Sequence, residues 1–228
     1  MKIALKFFTL LTLFAVSFAC SSPDKGEQVE AEEATEAAAE VTASAVTYSV
    51  DTESSTINWQ GYKKFDIGDE HTGTIKISDG SLALTGDQLT AGEFTIDMTS
   101  MESIDLAGTD GAGKLIGHLQ SPDFFSIEEY PTASFAITKV EAVEGSADVT
   151  HNITGNLTMR GQTKQITIPA NVSIADGKIT AVAPEFTIDR TQWGVEYGNE
   201  GIAGLAKDKV ISNDLTLKIM LNASASES

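Results

Sequence analysis

From Tyr48 onward, apolar and polar residues alternate along one segment after another. The apolar positions are Ile57, Trp59 and Gly61; Ile75 and Ile77; Phe94, Ile96 and Met98; Ala133, Phe135 and Ile137; Ile166, Ile168, Ala170, Val172 and Ile174; Ile179, Ala181 and Ala183; and Leu215, Leu217, Ile219 and Leu221. The positions between them are taken largely by Thr, Lys, Ser and Asp. Successive side chains of a strand point to opposite faces, so this period predicts antiparallel strands with one buried face. Turn-forming triplets punctuate the runs: Ser78-Asp79-Gly80, Thr85-Gly86-Asp87, Glu144-Gly145-Ser146, Arg160-Gly161-Gln162 and Asp176-Gly177-Lys178. The expectation is an all-β, up-and-down meander over residues 48–228, closed as a barrel or packed as a sandwich.

One interval breaks the alternation. Between Met101 and Pro131, Leu115, Ile116 and Leu119 have the spacing of one or two helical turns, and Ser121-Pro122-Asp123 resembles the start of a second short helix. The bulky pair Phe124-Phe125 follows. This insertion suits either a lid over a cavity or a cap on one end of the core.

The first 47 residues follow a different pattern. Lys2 and Lys6 precede an uncharged run from Phe7 to Ala19, followed at once by Cys20. A basic start, a short apolar stretch and a small residue at its end form a secretory signal, so residues 1–19 are expected to be a signal peptide. The run is 13 residues long, short of the ~20 that a spanning helix needs. Cysteine directly after it resembles a bacterial lipobox, with Cys20 the lipidated first residue of the mature chain. An ordinary cleavage site beside a chance cysteine is the alternative. Residues 21–47 are rich in Ala, Glu, Ser and Thr, lack aromatics and carry seven acids against the single base Lys25. Such a segment buries too little apolar surface to offset its ordering entropy, so residues 20–47 are expected to be a lipidated cysteine and a disordered acidic tether.

Composition narrows the function. The chain has 33 acidic and 15 basic residues, a formal charge of −18, and a surface so negative repels phosphate backbones, which excludes nucleic acid as a partner. Its single cysteine allows no intrachain disulfide. The histidines at 71, 118 and 151 lack metal-site spacing, so no metal is expected. Gly108 to Lys114 fits the spacing of a phosphate loop, but Leu115 replaces its hydroxyl residue and Asp110 puts negative charge inside it. No nucleophile elbow or paired carboxylates appear, so no catalytic residue and no enzymatic activity are expected. What remains is a β-domain with aromatics on its strands. A barrel of about eight strands is either filled by its own side chains or holds one small ligand. Small residues at inward positions, such as Gly61, Gly155 and Ala170, leave room for a ligand.

Five segments in order carry a resemblance: His118 to Phe125 (HLQSPDFF), Tyr130 to Phe135 (YPTASF), Ile153 to Lys164 (ITGNLTMRGQTK), Phe186 to Arg190 with Trp193-Gly194, and the closing strand from Asp214 to Leu221. Together they resemble the YceI-like family of secreted bacterial proteins. The resemblance implies an extended lipocalin-like antiparallel β-barrel with a short helical insertion and a tunnel for a long isoprenoid-type lipid. The expected lipid-binding residues are Trp59, Phe94, Phe124, Phe125, Phe135, Phe186 and Trp193, with His118 and Arg190 at the head group. Arg190 is read first as a structural anchor whose donors satisfy nearby carbonyls or Asp189. The expected role is a binding protein that sequesters or carries a polyisoprenoid-type lipid, with no cofactor besides that lipid. It would attach to the membrane through Cys20, in the periplasm of a Gram-negative bacterium at the outer membrane. A filled barrel serving envelope stress or protein interaction is the second reading, and a lipid hydrolase or isomerase using His118 and Arg190 the third.

Overall fold

The computed structural model describes residues 26–35, 44–66, 68–146 and 148–225. The expected signal peptide and Cys20 lie outside them.

The alternating segments become long strands. These are β3 (Val46–Val50), β4 (Thr56–Tyr62), β5 (Glu70–Thr85), β6 (Gln88–Ser103), β7 (Thr132–Ala142), β8 (His151–Met159), β9 (Gln162–Ala175), β10 (Lys178–Asp189) and β11 (Asp214–Ala225). Two short strands, β1 (Glu27–Gln28) and β2 (Glu32–Glu33), precede them. β3 and β4 act as one interrupted strand, since both pair with β5 on one side and β11 on the other. From there each strand pairs antiparallel with the next, and β11 closes the ring. The result is a closed antiparallel barrel of eight strand positions.

Tight connections occur where glycine or a left-handed residue permits them. Arg160 and Gly161 have φ of 50° and 70°, and Asp176 and Gly177 have 52° and 70°, the signature of two-residue turns that match strand twist. Ser78-Asp79-Gly80 departs from expectation: no turn forms there, and β5 runs through it with an irregular register between Ile77 and Asp79. Gly80 serves close approach instead, because a Cβ there would lie 2.7 Å from that of Phe94.

Two sequence expectations change in the remaining segments. The insertion forms one helix, α1 (Asp110–Gln120), and the residues after it continue as turns rather than a second helix. The acidic segment is not wholly a free tether: residues 26–35 lie against the barrel through β1 and β2, and Val29 is buried in the core. Charge and low hydropathy argue against autonomous folding, but the open strand edges of β9 and β10 offer the backbone partners that the segment cannot supply for itself.

Chain direction fixes which loops share an end. The β4–β5, β6–β7, β8–β9 and β10–β11 connections all gather at one end, and α1 lies within the second of these. The hairpin turns at Gly86 and Gly177 mark the other.

Candidate functional site

The inward faces enclose an apolar chamber of about 370 Å³ in the half of the barrel nearer α1. Its walls are Ile57, Ile75, Ile96, Met98, Ile166, Ile168, Phe186, Ile188, Leu217 and Ile219. Phe94 and Phe135, cross-strand partners with ring centroids 5.5 Å apart, also line it. The next inward residues toward the far end, Leu82 and Ile137, are buried but do not line it. The barrel is therefore hollow in one half and filled by its own side chains in the other.

The helical insertion contributes to the open end. Leu115, His118 and Leu119 of α1 line the chamber, as do Phe124 and Phe125. His118 stands edge-on between two aromatic rings, 5.0 Å from Phe124 and 4.8 Å from Tyr197, with its Nε2 3.2 Å from Asp123. Phe65, Tyr197 and Ile202, in the connections at this end, are exposed.

Of the expected lipid-binding residues, Trp59, Phe94, Phe124, Phe125, Phe135 and Phe186 line the chamber. Trp193 does not. It is fully buried in a short 3₁₀ helix (Arg190–Trp193), where its indole N–H donates to the carbonyl of Leu157 at 3.0 Å. Arg190 touches the chamber, but its guanidinium is committed elsewhere: it donates to the carbonyls of Ser212 (3.0 Å), Val195 (2.5 Å), Tyr197 (2.9 Å) and Ile211 (3.4 Å). Burial lowers its pKa, opposed by the charges of Asp189, Glu196 and Glu200. Asp189 itself accepts from the backbone N–H and hydroxyl of Thr191, not from Arg190. The carbonyl-anchor reading of Arg190 therefore describes its contacts.

Trp59 is different. Its indole nitrogen is, among the described residues, the only buried side-chain polar atom with no hydrogen-bond partner. A buried donor left unmatched carries a desolvation cost that an acceptor would relieve. It belongs to a side chain that lines the chamber.

Residues that strand periodicity did not single out shape the polar rim. Tyr62 donates to Asp214 at 2.7 Å and accepts from the Ser212 hydroxyl at 2.9 Å. Burial above all, reinforced by Asp214 and Glu200, pushes its pKa up to about 12. His71 Nδ1 lies 2.8 Å from Asp105. Burial alone would raise the Asp105 carboxyl, but hydrogen bonds from His71, Thr72 and Ser103 hold it below its ordinary value. The rim lysines are paired as well, Lys63 with Asp69 and Lys209 with Asp208 at 3.4 Å. Their only sequence signal is position, at strand ends beside the irregular connections.

Comparison with known proteins agrees with this architecture. The family model of the YceI-like domain matches residues 48–223. A UPF0312 protein of Pseudomonas aeruginosa is 49% identical over 99 residues, 43% of this chain and 44% of that protein. A UPF0312 protein of Photorhabdus laumondii is 36% identical over 107 residues, 46% of this chain and 50% of that protein. The matches thus span about half or less of these relatives' length. Among solved structures, BcnA of Burkholderia cenocepacia superposes with a TM-score of 0.58 at 20% identity, covering 77% of this chain and 99% of its own. A polyisoprenoid binding domain from Saccharophagus degradans gives 0.56 at 20% identity, covering 79% and 99%. At that identity the likeness is one of fold.

Proposed function

This chain belongs to the YceI-like domain family, and from that premise we propose that it binds an isoprenoid-type lipid in the barrel chamber and sequesters or carries it without chemical turnover. The observation that carries the reading is the half-hollow barrel: a chamber of about 370 Å³ with apolar walls and polar groups confined to one end. A polyprenyl chain entering it gains on the order of 0.8 kcal/mol per buried methylene with no directional contact. The unmatched Trp59 N–H supports a ligand that also brings an oxygen acceptor into the chamber. The structural likeness to a polyisoprenoid binding domain supports the same class of lipid. Within the proposal, Cys20 carries the acyl anchor, and the protein works in the periplasm at the outer membrane.

The test is direct. The full chain is purified, extracted with organic solvent and the extract analysed by mass spectrometry; the delipidated protein is then offered a polyprenyl quinone. The expected result is a polyprenyl species in the extract, or stoichiometric uptake of the quinone. A lipid-free extract together with no uptake would overturn the proposal and favour an interaction module instead. Mass analysis of the membrane-bound form checks the acyl group on Cys20.

A further inference from the structure

β9 and β10 are sequence neighbours joined by a tight turn, yet they pair directly only at the filled end, from Asn171–Ala175 against Lys178–Val182. Toward the hollow end they diverge. Left open, that seam would expose the chamber sideways, because Ile166 and Ile168 on β9 and Phe186 and Ile188 on β10 all line it.

Residues 26–35 run through the seam. β1 pairs parallel with β10 (Glu27 with Phe186, Gln28 with Thr187), and the Val29 N–H donates to the Thr187 carbonyl at 2.7 Å. β2 pairs antiparallel with β9 (Glu32 with Gln165, Glu33 with Lys164). The segment thus crosses from one strand edge to the other. Three features make the fit specific. Gly26 lies so close to β10 that a Cβ would come within 1.9 Å of the Glu185 carbonyl oxygen, a backbone atom that cannot move aside. Val29 is buried in the barrel core. The far end is fastened by Lys164 to Glu33 at 2.7 Å, by Gln165 to the Thr35 hydroxyl at 2.7 Å, and by Asn156 to the Thr35 carbonyl at 2.7 Å. Between these points the seal is loose, with a second cavity of about 280 Å³ separating the segment from β9.

We propose that the β9–β10 seam is a strand-binding site for an extended acidic peptide, that its resident ligand is this chain's own Gly26–Thr35 segment, and that the seated segment is the removable side wall of the chamber. Main-chain pairing to an open sheet edge holds the peptide, and the glycine, valine and glutamate positions select it. The inference rests on the geometry of the wall and stands whatever molecule the chamber takes.

Val29→Asp in the full chain unseats the segment by placing a carboxylate in the core. Hydrogen exchange is followed at the residue 29 amide, with β5–β6 amides reporting on the fold, while acrylamide quenching of Trp59, which lines the chamber, reports on the wall and the buried Trp193 outside the chamber serves as the internal reference. The expected result is Val29 protection in the wild type, its loss by about tenfold or more in the variant, unchanged β5–β6 protection and a raised quenching constant. If V29D also loses β5–β6 protection, Gly26→Val is read instead, since its clash lies outside the core. A wild-type Val29 amide exchanging like a free peptide overturns the binding site. A displaced segment with unchanged quenching overturns its role as a wall.

Discussion

Replacing Ala133 with leucine separates a hollow barrel from a filled one by the sign of a stability change. Ala133 is only 3% exposed, lines the chamber, and pairs across strands with Ile96. A leucine there adds three carbons pointing inward. If they enter the chamber, each gains about 0.8 kcal/mol by leaving water, so the ligand-free protein is stabilised by up to about 2 kcal/mol. If the space is already filled, overpacking costs about 1–3 kcal/mol. For a domain of this size 1 kcal/mol moves Tm by roughly 2–4 °C, so the outcomes lie well apart. The assay is urea and thermal unfolding of delipidated wild type and A133L, each with and without a polyprenyl quinone. At a hundredfold excess over Kd the quinone stabilises wild type by about 2.7 kcal/mol, and most of that increment is lost in a variant whose chamber is occupied. Destabilisation of ligand-free A133L by 1 kcal/mol or more, or an undiminished quinone effect, would refute the reasoning.

Three further outcomes follow from named groups. Trp59→Phe removes the unmatched indole donor while keeping an aromatic wall, so the ligand-free protein holds its stability and quinone affinity falls about fivefold, the worth of one hydrogen bond near 1 kcal/mol, read by titration. Arg190→Met leaves the carbonyls of Ser212, Val195, Tyr197 and Ile211 without their shared donor and costs about 3–5 kcal/mol, seen as a lower urea midpoint at unchanged slope. The Tyr62 phenol has a folded pKa raised to about 12, above the value near 10 of an unfolded tyrosine. Its contribution to stability is therefore complete below about pH 10 and disappears as pH rises through 12. A phenolate absorbance titration of wild type minus Tyr62→Phe shows a half-point near 12; a half-point near 10 counts against the burial and Asp214 contact assigned to it.

Strand periodicity carried most of the fold because a closed barrel has one inside, and the alternating apolar positions face it, with Val46 and Met220 among the exposed exceptions. Ile57, Ile75 and Ile219 are written two residues from their inward neighbours, and register then brings them together across strands. Residues whose role depends on contacts outside that period were harder to place. Trp193 looks in sequence like one more inward aromatic, but it belongs to a 3₁₀ turn whose indole ties the β10–β11 connection to Leu157. Tyr62 and Ser212 are 150 residues apart and meet only because the barrel closes. The acidic segment is the clearest case: its composition reports that it cannot fold alone, which is a different property from whether an open strand edge will accept it.

Inward small residues show the same limit at the scale of one atom. Gly61 and Gly155 both look in sequence like room left for a ligand. At Gly61 an added Cβ meets nothing within 4 Å, and the residue lines the chamber. At Gly155 the same atom would fall 2.3 Å from the Phe135 ring, so the missing side chain accommodates a neighbour across the strand pair, not a ligand. The absent methyl group thus makes space for a partner in one place and leaves space empty in the other, and alternation cannot distinguish them because both positions point inward. What separates them is height along the barrel: Gly61 lies at the open end of β4, and Gly155 beside the aromatic pair that lines the inner end of the chamber, where Ile137 begins the filled half. The boundary between hollow and filled is therefore set by which inward side chains reach across the barrel axis. That is a property of opposing strands together, and it is where the carrier and interaction-module readings part.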